Sequence, residues 1–245
     1  MDTVLIINGL DGGRNFNLRR IERYLTLAWS SGAQPIIVLN KSDCCQSLDK
    51  FIGDVEGIAI GVPIFAVCAR TQTGLEDLKT FLGKGKTSAF LGSSGVGKSS
   101  MRNALLGFDK QIVNDVRLDD RQGHHTTTRR ELIKLPGGGN VIDTPGMREI
   151  QLWAGMDGIG GAFPDISDLA CDCRFNDCSH QTEIGCAVTA AVDAGTLSMS
   201  RLDSYLKMKR ELTFTLAREA QGAQSVEKAR WKTIAKLQKQ INQDR

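Results

Sequence analysis

The residues with the clearest chemistry lie mid-chain. Gly92-Ser93-Ser94-Gly95-Val96-Gly97-Lys98-Ser99, followed by Ser100, fits the pattern G-x-x-x-x-G-K-[ST]. Glycines let the backbone turn so that successive N–H groups point inward at phosphate oxygens. A helix beginning there adds the positive end of its dipole. Lys98 can reach the outer phosphates as a point charge, and the Ser99 hydroxyl can sit on a magnesium ion bridging the same oxygens. A flexible Gly/Ser turn would share the composition. The apolar run before it and the helix-forming stretch after it favour the phosphate cradle.

A second constellation lies near the amino terminus. Asn40-Lys41-Ser42-Asp43 closes an apolar run. A carboxylate in that place can accept two hydrogen bonds at once from guanine, from the ring N–H and the exocyclic amine. Adenine offers an acceptor at the ring position, so a site built for donors rejects it. Asn40 and Lys41 would brace the base and the loop, and Cys68-Ala69, closing the next apolar run, could offer a backbone N–H to the guanine carbonyl. Four residues of this kind also suit an ordinary turn and cap; the phosphate cradle in the same chain shifts the balance. Asp143-Thr144-Pro145-Gly146 ends another apolar run. Its carboxylate can hold magnesium through water, and the Gly146 N–H can bond a terminal phosphate.

The third constellation is a run of cysteines. Of seven in the chain, Cys171, Cys173, Cys178 and Cys186 fall within 16 residues, with His180 among them. Thiolates plus an imidazole in tetrahedral number favour zinc, and four protein ligands make a closed, structural site. Five candidates stand for four places. Such a metal would organise a segment too poor in apolar residues to fold alone.

These groups need a scaffold. Val4–Asn8, Pro35–Leu39, Ile64–Val67 and Ala89–Leu91 read as short buried strands. Leu18, Ile21, Leu25 and Ala28 behind Asn17 make a helical stripe with an N-cap. Leu75, Leu78 and Leu82 have helical spacing, and Met101–Leu106 reads as helix. Leu132–Leu135 and Asn140–Ile142 flank Gly137–Gly139 as a hairpin. Strands alternating with helices predict an α/β fold, a doubly wound and mostly parallel sheet with ligands at the carboxyl ends of the strands. After Met147 the pattern changes. Gly155–Gly161 reads as loop, then come the cysteines, and then helices near Val188–Ala194, Leu202–Ala220 and Val226–Ile241, the last two separated by Gly222. The expected division is 1–149 and 150–245.

The 245 residues suit one or two domains. Hydrophobic residues at 41% and charged residues at 24% exclude a disordered or collagen-like chain. Runs such as Val4–Ile7 and Ile36–Leu39 fall far short of the roughly 20 residues that span a bilayer. With an acid at Asp2 and no basic region before an apolar stretch, the amino terminus does not read as a signal peptide. No membrane is expected, and a cytoplasmic place is. Net charge is +3, yet Leu197–Arg245 holds 11 Lys and Arg against 5 Asp and Glu. That basic end suits either an anionic partner or a solvated helix face.

Phosphate loop, threonine loop, Asp-x-x-Gly and Asn-Lys-x-Asp form the GTPase motif set, and here Asn40–Asp43 comes first rather than last. The order resembles the circularly permuted GTPases. Within them the chain is similar to the bacterial ribosome small-subunit-dependent GTPase family, through Asn40–Asp43, Gly92–Ser100, Gly123-His124-His125-Thr126-Thr127-Thr128, Asp143–Gly146 and the Cys/His cluster. The resemblance implies a P-loop NTPase fold that binds GTP or GDP with Mg²⁺. It implies Cys173, Cys178, His180 and Cys186 as the ligands of one structural Zn²⁺. The partner it implies is the 30S ribosomal subunit through its ribosomal RNA, in late maturation, with hydrolysis stimulated by the subunit. Met147 stands where Ras-like enzymes carry the water-orienting Gln, and a thioether cannot do that work. The resemblance points to His125 as the catalytic group. His124 departs from the family's Arg in that loop, which leaves that Arg's role unfilled. Of Thr127 and Thr128, Thr128 is the expected magnesium ligand.

Family members carry an OB-fold barrel ahead of the GTPase domain, whereas here Met1-Asp2-Thr3-Val4 opens almost at the first strand. The barrel is therefore expected to be missing, and with it part of the subunit affinity. Trp231 among Lys228, Arg230 and Lys232 could keep some RNA contact or simply anchor the last helix. A monomer is expected. Two other readings stand beside hydrolysis: a nucleotide-gated RNA-binding module with negligible turnover, and an ATP-using P-loop enzyme.

Overall fold

A computed structural model describes residues 1–12, 15–107, 131–143 and 156–221. Its strands are β1 (Thr3–Gly9), β2 (Gln34–Asn40), β3 (Ile64–Ala66), β4 (Thr87–Leu91), β5 (Glu131–Lys134) and β6 (Asn140–Asp143). They lie in one sheet in the order β3-β2-β1-β4-β6-β5. All neighbours pair in parallel except β5 with β6, the expected hairpin. The amino-terminal strand sits at the centre of the sheet. Every residue of β1 is buried, as a strand covered on both faces requires.

Side-chain alternation divides β1 and β2 between two cores. Val4, Ile6, Ile37 and Leu39 face one, and Leu5, Ile7, Ile36 and Val38 face the other. The second core is closed by α3 (Leu75–Lys79), through Leu75 and Leu78, and by α4 (Lys98–Leu106), through Met101, Ala104 and Leu105. The first is covered by α1 (Leu18–Ser30) and by α2 (Leu48–Glu56), and it continues without a break into the carboxyl-terminal segment. Asn17 caps α1 as expected, its side chain accepting from the Arg20 N–H at 3.0 Å.

That segment holds α5 (Met156–Ala162), α6 (Pro164–Cys171), α7 (Ala187–Asp193) and α8 (Met199–Gln221). The expected helices at 188–194 and 202–220 are present. The expected one at 226–241 lies outside the described residues, as does Gly222. The loop expected over Gly155–Gly161 is corrected: from Met156 the chain is helical. Its glycines are a packing surface rather than a turn. A Cβ at Gly158 would overlap Ser30 and come within 2.5 Å of the Thr26 carbonyl oxygen, and one at Gly161 would come within 2.7 Å of Trp29 Cγ. Only residues without side chains let α5 lie so close on α1.

Strand order reverses between β1 and β4, since β1 leads outward to β2 and β3 while β4 leads to β6 and β5. In open α/β sheets that switch point opens a crevice at the strands' carboxyl ends. The loops after β1, β2 and β4 meet on that rim.

Candidate functional site

Asn40, the last residue of β2, is 2% exposed and works as a tie. Its Nδ2 donates to the Val96 carbonyl at 2.9 Å, and its Oδ1 accepts from the Ala69 N–H at 3.1 Å. Three motifs from distant parts of the chain are thereby fixed to one side chain. Gly97 explains the closeness. Its φ is +97° and a Cβ there would overlap Asn40 Nδ2, so no other residue fits. Lys41 adopts a left-handed φ of 64°, which turns its Nζ to the Gly95 carbonyl at 2.7 Å and to the Asp11 carboxylate. That ammonium is the main cause of a lowered Asp11 pKa. Asn15 donates to both Asp11 oxygens and completes a brace beside the phosphate loop.

Lys98 opens α4 and curls over its own loop, donating to the carbonyls of Gly92 at 2.7 Å and Ser93 at 2.9 Å. Burial pushes its pKa below the ordinary lysine range, opposed by the Asp143 charge. Arg20 of α1 donates to Ser93 Oγ at 3.0 Å. Ser94 and Gly95 face solvent at the loop's tip, and Ser99 and Ser100 are exposed in the first turn of α4. Asp143, at the end of β6, is 5% exposed and lies 3.4 Å from Arg102 Nη1. Ser42 and Asp43 begin a short 3₁₀ turn after β2. Asp43 accepts from Arg70 Nη2 at 2.6 Å. The Cys68 thiol, then Arg70, holds its carboxyl below the usual range. His125, Thr127, Thr128, Gly146 and Met147 lie outside the described residues.

The cysteine cluster has the dimensions of a metal centre. The ligand atoms of Cys173, Cys178, His180 and Cys186 all lie within 4.8 Å of one another. Cys173 Sγ is 3.8 Å from Cys186 Sγ, and His180 Nδ1 is 3.6 and 3.5 Å from those two sulfurs. A tetrahedral zinc with bonds of about 2.3 Å to sulfur and 2.05 Å to nitrogen requires about 3.8 Å between sulfurs and about 3.6 Å from sulfur to nitrogen. The donor set and spacing fit zinc. Cys171 is exposed on α6 and outside the cluster. Cys186 also caps α7, its sulfur accepting from the Thr189 N–H at 3.4 Å.

A sequence model of the RsgA GTPase family matches residues 1–153. The chain belongs to that family. Among RsgA relatives, the small ribosomal subunit biogenesis GTPase RsgA 2 of Lactiplantibacillus plantarum is 48% identical, over 87% of this chain and 60% of its own. The small ribosomal subunit biogenesis GTPase RsgA of Opitutus terrae is 47% identical, over 96% of this chain and 64% of its own. The chain thus spans about three-fifths of the length of these curated relatives. The crystal structure of YjeQ from Thermotoga maritima superposes with a TM-score of 0.63 at 32% identity, covering 87% of this chain and 72% of that one. YloQ, described as a circularly permuted GTPase, gives 0.61 at 27% identity, covering 86% and 68%. The family and the permuted order expected from the motifs are borne out.

In this RsgA family member a buried ionic cluster holds the carboxyl-terminal helices to the sheet domain. Glu22 on α1 is 1% exposed and Arg201 on α8 is 4% exposed. Arg201 Nη1 donates to Glu22 at 2.8 Å. Its Nε and Nη2 grip the Asp165 carboxylate at 3.1 and 3.0 Å, and Nη2 also donates to the Ala162 carbonyl at 2.9 Å. The guanidinium lies 4.2 Å from the Phe163 ring centroid, and Ser204 donates to the other Glu22 oxygen. Among the described residues no helix is long and apolar enough to cross a membrane.

Sequence reasoning missed several of these groups. Asp11 was findable, because it follows an apolar strand as the other motifs do. Arg70 directly follows Cys68-Ala69 and could have been tried against Asp43. Glu22 and Arg201 carried no signal, since 179 residues separate them and each resembles a solvated helix residue.

Proposed function

We propose that this chain binds guanine nucleotides and hydrolyses GTP to GDP and phosphate as a maturation factor of the 30S ribosomal subunit, with turnover stimulated by the subunit. What carries the reading is the Asn40 side chain, bonded at once to the phosphate loop and to the Cys68-Ala69 loop. That ties the two loops to one side chain. Asp43 reads the guanine edge, with Lys41 and Ser42 framing the base; the Ala69 N–H expected for the guanine carbonyl is bonded to Asn40 instead, and the Cys68 N–H to Thr73. Gly92–Ser100 cradle the phosphates, and Lys98 trades its two loop carbonyls for phosphate oxygens. Ser99, Thr128 and Asp143 are the residues to hold Mg²⁺, which neutralises phosphate charge. Gly146 contacts the terminal phosphate and His125 positions water. Cys173, Cys178, His180 and Cys186 hold Zn²⁺.

The names of the relatives support the ribosomal assignment, and the buried Arg201 cluster supports a zinc segment that follows the GTPase body closely. We divide the chain at about residue 149, between a GTPase domain and a zinc-bearing helical domain directed at ribosomal RNA. A cytoplasmic, monomeric factor suits this role. The test is phosphate release from GTP with and without purified 30S subunits, in competition with ATP. Stimulated turnover blocked by GDP and untouched by ATP is the expected result. Nucleotide binding without turnover under either condition would favour the RNA-binding module, which Met147 motivates. Competition by ATP would refute the guanine assignment.

A further inference from the structure

The metal-centre segment contains an acidic side chain wholly used by its own loop. Glu183 Oε1 accepts from the Ser179 N–H at 3.0 Å and from the Ser179 hydroxyl. Its Oε2 accepts from the N–H groups of Gln181 and Thr182, each at 3.1 Å. A carboxylate has about four acceptor directions, so four donors leave it no capacity to bind a metal. What it does instead is close the chain from Ser179 to Glu183 around one anion. His180 lies inside that closure. It adopts a left-handed φ of 58°, a conformation that costs a non-glycine residue free energy unless its surroundings impose it. It is 4% exposed, with Nδ1 turned to the sulfurs of Cys173 and Cys186.

We infer that Glu183 is the positioning residue of the zinc centre: by gathering the amides of residues 179, 181 and 182 it imposes the turn that delivers His180 Nδ1 to the fourth ligand position. This rests on the zinc reading of the cluster. The metal then meets an imidazole already in place, and the ordering entropy of the loop is not charged against binding. Partners outside the ligand shell that orient a ligand typically change metal affinity by roughly 10–100-fold.

The test uses the full chain, with Zn²⁺ affinity read by competition against a chromophoric chelator and the ligand set read from the visible spectrum of bound Co²⁺. In Glu183→Gln the amide oxygen can satisfy only one of the two donor pairs, and its NH₂ must confront the other. Zinc affinity is expected to fall by roughly 10–100-fold, while the spectrum at saturating Co²⁺ keeps its parental bands. Ser179→Ala removes one donor of the four and is expected to lose about threefold to tenfold by the same argument, so the inference stays testable if the glutamine variant does not fold. Parental zinc affinity in either variant would overturn the proposal, even with a lowered melting temperature. Bands showing that a carboxylate oxygen has left the Co²⁺ ligand set would overturn it too, by making Glu183 a ligand. A parent chain that binds neither metal would instead overturn the zinc reading.

Discussion

Arg201→Met removes a cation from the interior and leaves its anion behind. In the parent, Arg201 serves Glu22, Asp165 and the Ala162 carbonyl. Without it, Glu22 remains 1% exposed with Ser204 and a 3.4 Å contact from the half-exposed Arg19. Asp165 can turn to water, but Glu22 cannot. Breaking one side of a buried pair in this way costs about 3–5 kcal/mol. For a chain of this size each kcal/mol moves the melting temperature by roughly 2–4 °C, so a fall of about 6–20 °C is expected. The assay is denaturant and thermal unfolding of the zinc-loaded protein, with Glu22→Leu and the double variant completing a cycle. The double variant replaces both charges by apolar groups and is expected to recover most of the loss. A single variant within about 1 kcal/mol of the parent, or a double variant costing the sum of the two singles, would refute the reasoning.

Other outcomes follow from the same geometry. Gly97→Ala forces a Cβ onto Asn40 at a positive φ, and loss of GDP binding in calorimetry is expected; parental affinity would mean the Asn40 tie is dispensable. Lys98 has a folded pKa lower than its unfolded one, so between the two values the unfolded chain holds more protons and stability rises with pH. Lys98→Met should lack that rise in nucleotide-free melting curves taken toward pH 10.5, the ordinary lysine value; identical pH profiles would contradict it. Chelating zinc should free the buried Cys178 and His180 and open the segment 171–186 to proteolysis, and an unchanged cleavage pattern would count against a structural metal.

Much of the fold was legible because its signals are local. Buried strands such as Val4–Asn8 and Pro35–Leu39 are uninterrupted apolar runs, and the observed β1 and β2 extend each end by one residue at most. The hairpin declared itself through Gly137–Gly139, and Asn17 announced its helix. The motifs were legible because phosphate and base recognition demand particular atoms at fixed spacing. What failed was long-range. Glycines at 158 and 161 look like loop residues until the α1 surface that they fit is known. Arg201 looks like part of a basic tail until Glu22 is found beneath it. Glu183 carries no local signal, because its four donors come from backbone and a serine that no composition reveals.

Under the proposed function, Asp43 pairs with guanine at one end of a site whose other end is Lys98. Calorimetric titration of the parent and of Asp43→Asn with GDP and with xanthosine diphosphate tests it most directly. An asparagine amide can donate where xanthine carries a carbonyl in place of guanine's amine. The parent should bind GDP, and Asp43→Asn should bind it at least roughly 100-fold more weakly while gaining xanthosine diphosphate. Equal GDP affinity in the two proteins would contradict the account.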